Sequence, residues 1–334
     1  MKPISCSLII AALLGGSALS GDAQVVRTDL KGEGFVADFY CKAGPVTKPG
    51  LLFLGGSEGG RPDLHLPQFL AEHGYPVLAV AYFKEQGLPE TLQLVPLEYF
   101  DKALAWMAGS DRIPHDGIAV FGCSKGAELA LLLASRKPEI KGVIALAPSS
   151  VVWDGMPKQW WPPDPKSSWS SGGKPLPIVP YDYRAGFAAG DPRAIYKFYA
   201  QSLKQTDAVG KAAILVEKIN GPILLASGHD DLLWPSEEMS DVICARLKAK
   251  TFTHHYEHLK YADAGHTLNE YYMLGGTREG NQDAGLPRQT FRETRAARRC
   301  AGGSCRHKCA RNQTHPAGHT QAVIYFRKFT MTER

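Results

Sequence analysis

Residues 117–135 read Gly-Ile-Ala-Val-Phe-Gly-Cys-Ser-Lys-Gly-Ala-Glu-Leu-Ala-Leu-Leu-Leu-Ala-Ser. An apolar, strand-like run enters Gly122-Cys123-Ser124-Lys125-Gly126, and a helix-forming run leaves it. This is Gly-x-Ser-x-Gly between a strand and a helix, the setting in which a serine is presented as a nucleophile. The turn forces the serine backbone into a strained conformation. A Cβ at either flanking glycine would clash with the turn or the neighbouring strand.

The rest of the body repeats the same alternation. Strand-like apolar runs fall at 51–54, 76–83, 118–121, 143–147 and 223–226, with a last one at 254–261. Helical spacing falls between them, at 67–73, 95–108 and 237–247; Leu97, Phe100, Leu104 and Met107 share one face of the second. Continuous apolar strands separated by helices predict an α/β fold with a mostly parallel central sheet and helices on both faces. Between 151 and 218 the pattern breaks into a Trp/Pro-rich stretch holding Trp153, Trp160, Trp161 and Trp169. An insertion of this length is expected to cap the carboxyl ends of the strands, where ligands bind.

A serine hydroxyl needs a base, and the base needs an orienting acid. In this kind of fold the chain order is Ser, then Asp or Glu, then His. The strand at 223–226 is followed by Gly228-His229-Asp230-Asp231-Leu232-Leu233-Trp234-Pro235. Asp230 and Asp231 both qualify as the acid, and the spacing before Pro235 favours Asp231. Of the eleven histidines, His266 follows the last strand-like run and is the expected base; His254, His255 and His258 fall inside that run. Leu54-Gly55-Gly56-Ser57-Glu58-Gly59-Gly60 follows an early strand. Its glycines allow backbone amides to approach a substrate oxygen, so the amides of Ser57 and Lys125 are the expected oxyanion donors, with Glu58 a further possibility. The loop lacks the Gly-Lys-Ser/Thr ending and the dinucleotide spacing of a phosphate-binding turn. Gly56, Glu58, Trp153 and Trp169 are the expected substrate contacts.

Residues 1–23 carry Lys2, a short apolar core at 9–14 and small-residue cleavage sites near Ser20 and Ala23, the form of a secretory signal. The core is too short to span a bilayer, and no later segment is apolar enough to do so. The expectation is an exported protein, periplasmic or secreted, with no integral membrane segment after cleavage. The net charge of +5 is concentrated at the end: residues 286–334 hold eleven Lys/Arg against two acids, so the remainder is mildly acidic. That leaves the body without a footprint for nucleic acid. Residues 287–334 form a basic tail rich in Cys, Arg and His, expected to be disordered or translated out of frame. Cys300, Cys305 and Cys309 lack a paired Cys-x-x-Cys form, so no metal site is expected. No cofactor is called for by any motif.

With these residues in place, the chain resembles the C-terminal catalytic domain of the acyl-CoA thioester hydrolase and bile acid-CoA:amino acid N-acyltransferase family, within the α/β-hydrolases. The resemblance runs from about residue 49 to about 276. It rests on Pro49-Gly50-Leu51-Leu52-Phe53-Leu54-Gly55-Gly56, Leu97-Glu98-Tyr99-Phe100, Gly122 to Ala130, Ser168-Trp169-Ser170, Gly173-Lys174-Pro175-Leu176-Pro177, Gly228 to Asp231, and Gly265-His266. It implies an α/β-hydrolase catalytic domain over 24–286, with Ser124 as nucleophile, Asp231 as acid and His266 as base. The family's transferases use cysteine as nucleophile, so serine implies hydrolysis of an acyl thioester. Animal members carry a β-sandwich domain ahead of the catalytic one, and residues 24–48 are too few to build it. Acyl-CoA is a cytoplasmic metabolite, and an exported chain would instead meet a carboxylic ester, as in dienelactone-hydrolase-like relatives.

Overall fold

The computed structural model describes residues 24–268, apart from 63–64, 115–116, 161–162, 186–189 and 263. The signal-like residues 1–23, Trp161 and the basic tail lie outside the described residues.

The strands in chain order are β1 (Val25–Leu30), β2 (Val36–Lys42), β3 (Gly50–Leu54), β4 (Val77–Ala81), β5 (Val95–Pro96), β6 (Ile118–Cys123), β7 (Ile140–Leu146), β8 (Trp169–Ser171), β9 (Lys174–Pro175), β10 (Ile223–Gly228) and β11 (Tyr256–Tyr261). The helices are α1 (His65–Glu72), α2 (Glu98–Gly109), α3 (Lys125–Ala134), α4 (Ala194–Ser202), α5 (Thr206–Ala212) and α6 (Ser236–Ala249). Eight strands form the central sheet in the order β1-β2-β4-β3-β6-β7-β10-β11. β2 runs antiparallel to β1 and to β4, and every other neighbouring pair is parallel.

The continuous apolar runs become the central strands because both faces of the sheet are covered. Every residue of β3, β4 and β10 is buried. Successive side chains go to opposite faces. Leu52, Leu54, Leu78, Val80 and Val120 pack with Phe100, Leu104 and Met107 of α2, all of α3's apolar residues, and Ile243 and Leu247 of α6. Leu51, Phe53, Val77, Ala79, Phe121 and Ile144 pack on the other face with Leu66 and Leu70 of α1 and with Ala264 and Leu268. The Phe53 and Phe121 rings stack there at 4.9 Å.

Two strands of the central sheet, and the three short strands β5, β8 and β9 outside it, have no strand-like run in the sequence. β1 is polar and largely exposed at the sheet edge. β2 carries Asp38, which is buried but held by Arg27 at 3.0 Å and Arg61 at 2.7 Å. That charge interrupts the apolar pattern, and its partners lie far away in sequence. The helix expected over 95–108 starts later: Val95–Pro96 is a short strand paired with β8, and α2 begins at Glu98. The last strand begins at Tyr256, so His254 and His255 precede it.

The insertion at 151–218 has structure of its own. β8, β9, α4 and α5 lie within it. Val151, Trp153, Val179, Tyr181, Phe198 and Ala212 form a separate apolar cluster with Trp234 and Met239. Isolated bridges Val151–Ala213, Trp153–Val179 and Asp154–Ser167 knit it together, and Leu92–Met156 joins it to the loop before β5.

Candidate active site

Four segments meet at the carboxyl ends of the parallel strands: the turn after β6, the glycine loop after β3, the loop after β10 and the loop after β11. The turn after β6 centres on Ser124, with φ 56° and ψ −121°. A non-glycine residue held there costs roughly 1–3 kcal/mol, so surrounding structure must fix it. Ser124 donates its amide to Leu146 at 2.9 Å, and its carbonyl accepts from the amides of Ala127 and Glu128. The two glycines make the turn possible. A Cβ on Gly122 would lie 2.1 Å from the Gly126 oxygen, and one on Gly126 would lie 2.3 Å from the oxygens of Leu54 and Gly55.

The Ser124 hydroxyl lies 2.8 Å from His266 Nε2. His266 Nδ1 lies 2.9 Å from Asp231 Oδ2 and 3.1 Å from Oδ1. A carboxylate only accepts, so Nδ1 carries the proton and Nε2 is left to accept from the serine. Asp231 is 3 % exposed. Its Oδ1 also accepts from the amides of Leu233 (2.9 Å) and Trp234 (3.1 Å), and Oδ2 accepts from the Ser236 hydroxyl at 2.6 Å. Asp230 is exposed, as expected for the neighbour that points away. The Trp234 ring meets the His266 ring edge-on at 5.6 Å, while its Nε1 donates to the Ala147 carbonyl. His266 is thereby held by hydrogen bonds on one edge and by packing on its face.

In the glycine loop, the Tyr82 hydroxyl reaches the carbonyl oxygens of Gly55 at 2.6 Å and Gly56 at 3.2 Å. Carbonyl and N–H point oppositely across a trans peptide, so Tyr82 turns the next two amides, those of Gly56 and Ser57, the other way. The Gly56 amide is already taken by Glu58 Oε1 at 2.6 Å. The Ser57 amide and the first amide of α3, that of Lys125, are the donors left to face a substrate oxygen, since the opening amides of a helix have no acceptor within it. Burial pushes the Tyr82 phenol well above its ordinary value, and the charges of Glu58 and Glu128 add to this. Tyr82 therefore stays a donor. No sequence signal marked it or Ser236; each is a hydroxyl whose partner is set by the fold.

Directly behind the turn, Lys125 Nζ and Glu128 Oε2 form a buried pair at 2.7 Å. Burial lowers the Lys125 ammonium and raises the Glu128 carboxyl, with their mutual attraction opposing both shifts. Glu128 Oε1 accepts from Trp169 Nε1 at 2.7 Å and from the Trp153 amide at 3.3 Å. This corrects the expectation for these two tryptophans as substrate contacts. Both are 0 % exposed and pin the insertion onto α3 instead of presenting a surface to a ligand.

A second Ser–His–Asp set lies nearby. Ser227 Oγ is 2.7 Å from His258 Nε2, and His258 Nδ1 is 3.1 Å from Asp241 Oδ1. Ser227 lies in regular β10, fully buried, with no strained turn to expose it. It is a clasp between β10, β11 and α6, and it lacks the access that nucleophilic chemistry needs. Among the described residues no three His, Cys, Asp or Glu side chains are grouped to hold a metal ion, and no helix is long and apolar enough to cross a membrane.

Comparison with known proteins identifies the family and the fold. Residues 95–273 match the family model described as BAAT / Acyl-CoA thioester hydrolase C terminal. Mouse acyl-coenzyme A thioesterase 6 is 29 % identical over 71 % of this chain and 52 % of its own length. Mouse bile acid-CoA:amino acid N-acyltransferase is 24 % identical over 74 % of this chain and 55 % of its own. The chain thus spans about half the length of these curated relatives. Among solved structures, the acylaminoacyl peptidase of Pyrococcus horikoshii superposes with a TM-score of 0.50 at 12 % identity, covering 74 % of this chain and 38 % of that one, a likeness of fold alone. The fold is that of an α/β hydrolase, and the chain belongs to the BAAT / acyl-CoA thioester hydrolase C-terminal family.

Proposed function

We propose that this protein is a serine acyl hydrolase that cleaves acyl thioesters through a Ser124–His266–Asp231 triad and an acyl-enzyme. The observation that carries the reading is the unbroken relay from Ser124 Oγ through His266 to Asp231, set at a strained strand-to-helix turn. His266 Nε2 takes the hydroxyl proton as Ser124 Oγ attacks the acyl carbon. Asp231 stabilises the imidazolium through Nδ1. The Ser57 and Lys125 amides hold the oxygen that becomes negative. The imidazolium then protonates the departing thiolate, and the C–S bond breaks. A water, activated by the same imidazole, attacks the acyl-serine and releases the acid.

The curated relatives named above are a thioesterase and an N-acyltransferase, and a serine nucleophile favours water over an amino acid as the acceptor. A second reading is hydrolysis of a carboxylic ester by the same steps with an alkoxide leaving. It is favoured by the signal-like residues 1–23, which would carry the chain away from cytoplasmic acyl-CoA. In either reading the working unit is residues 24–286, and the protein is exported. The test is a panel of acyl-CoAs and p-nitrophenyl esters against wild type and Ser124→Ala. The expected outcome is turnover by wild type and a loss of at least ~10³-fold in the variant. Equal turnover by the two proteins would dispose of the mechanism. The ratio of thioester to ester rates chooses between the substrates.

A further inference from the structure

Glu58 is an acidic side chain close to the nucleophile that the proposed mechanism does not use. Its Oε1 accepts from the Gly56 amide at 2.6 Å. Its Oε2 lies 2.7 Å from where a Cβ on Gly56 would stand, and that point is 3.4 Å from the Ser124 Cβ. The carboxylate is therefore within about 6 Å of the Ser124 Cβ. The neighbouring cation, Lys84, donates from Nζ to the Glu58 main-chain carbonyl at 3.3 Å. The loop is not free to carry the charge away cheaply. Tyr82 grips the Gly55 and Gly56 carbonyls, and Arg61 just beyond it is tied to Asp38 and Asp29.

Once an acyl group is joined to Ser124 Oγ, the second carbon beyond its carbonyl lies four bonds from the serine Cβ. A substituent on that carbon shares the space reached by the Glu58 carboxylate. We propose that Glu58 is a specificity-determining residue that reads this position: it favours acyl groups with a hydrogen-bond donor there and rejects acyl groups with a carboxylate there. The inference rests on the serine-hydrolase reading above. The Glu58 side chain is exposed at the tip of the loop; a donor on the acyl group can bond its carboxylate, whereas a second carboxylate would be a like charge at short range.

The test compares three thioesters of N-acetylcysteamine: butyryl, 3-hydroxybutyryl and malonyl. They differ at the second carbon beyond the thioester carbonyl: it bears only a methyl in butyryl, bears a hydroxyl in 3-hydroxybutyryl, and is the carboxylate carbon in malonyl. Wild type should turn over the hydroxy compound fastest, with malonyl at least about tenfold below butyryl in kcat/KM. Glu58→Gln should raise the malonyl-to-butyryl ratio by about tenfold, and Glu58→Lys should bring malonyl to or above butyryl. Ratios within one protein are unaffected by a loss of folded material, and a variant that merely misfolds cannot invert them. A malonyl-to-butyryl ratio that is the same in wild type and both variants overturns the role of Glu58 while leaving the hydrolase reading intact. No turnover of any of the three by wild type, together with no labelling of Ser124 by a fluorophosphonate, overturns both.

Discussion

A methyl group added at Gly122 would sit 2.1 Å from the Gly126 carbonyl oxygen, a contact that no rotamer change can relieve. The glycines were legible in the sequence because they answer to local geometry, and so was Ser124 between them. His266 was legible from its place after the last strand. The spacing before Pro235 favoured Asp231 over Asp230, and in the fold Asp231 meets the imidazole while Asp230 is exposed. Asp231 accepts from His266, two amides and the Ser236 hydroxyl. Asp231→Asn puts an NH₂ group among those donors, and it is expected to lower kcat/KM by ~10³–10⁴-fold. Asp230→Asn should change it by less than about threefold. Steady-state kinetics on the two variants decide the matter; equal effects would mean that the acid is misassigned. The tryptophans were misjudged for a different reason. Composition marks a Trp-rich insertion, but it does not say that the Trp169 ring and the Trp153 main chain turn inward onto Glu128.

The clasp of β10, β11 and α6 supports both Asp231 and His266, since the loops carrying them leave β10 and β11 and Ser236 opens α6. His258 sits at its centre. Asp241 and Glu237 face it from α6, Lys260 from β11 and Ser227 from β10. Burial holds the imidazole below its ordinary value of 6.5, outweighing the pull of Asp241. Below 6.5 the unfolded chain therefore binds a proton that the folded chain refuses, and stability falls as the pH falls through that window. His258→Gln keeps a polar side chain there without the titration. It should shrink the drop in Tm between about pH 7 and pH 5, as measured by thermal melts. An undiminished drop would place the acid sensitivity elsewhere. None of this pairing was readable beforehand: a histidine in a strand with polar neighbours gives no hint of its partners on two other elements. The same holds for β2, whose buried Asp38 is made tolerable by Arg27 and by Arg61 on a distant loop. The apolar strands β3, β4, β6, β7 and β10 were read from sequence because burial on both faces leaves an unbroken apolar run.

At the scale of the whole molecule, the sheet does two things at once. Its two covered faces make the core, and the carboxyl ends of its parallel strands bring Ser124, Asp231, His266 and the 55–60 loop to one place. Ser124 and His266 are 142 positions apart along the chain, yet the relay through Ser124, His266 and Asp231 closes at 2.8 and 2.9 Å. The central claim is that this convergence makes Ser124 the nucleophile and His266 its base. Peptide mass spectrometry after reaction with a fluorophosphonate tests it directly. One adduct is expected, on Ser124, formed far more slowly in His266→Ala. An unmodified Ser124, or an adduct on another serine such as Ser227, would contradict it.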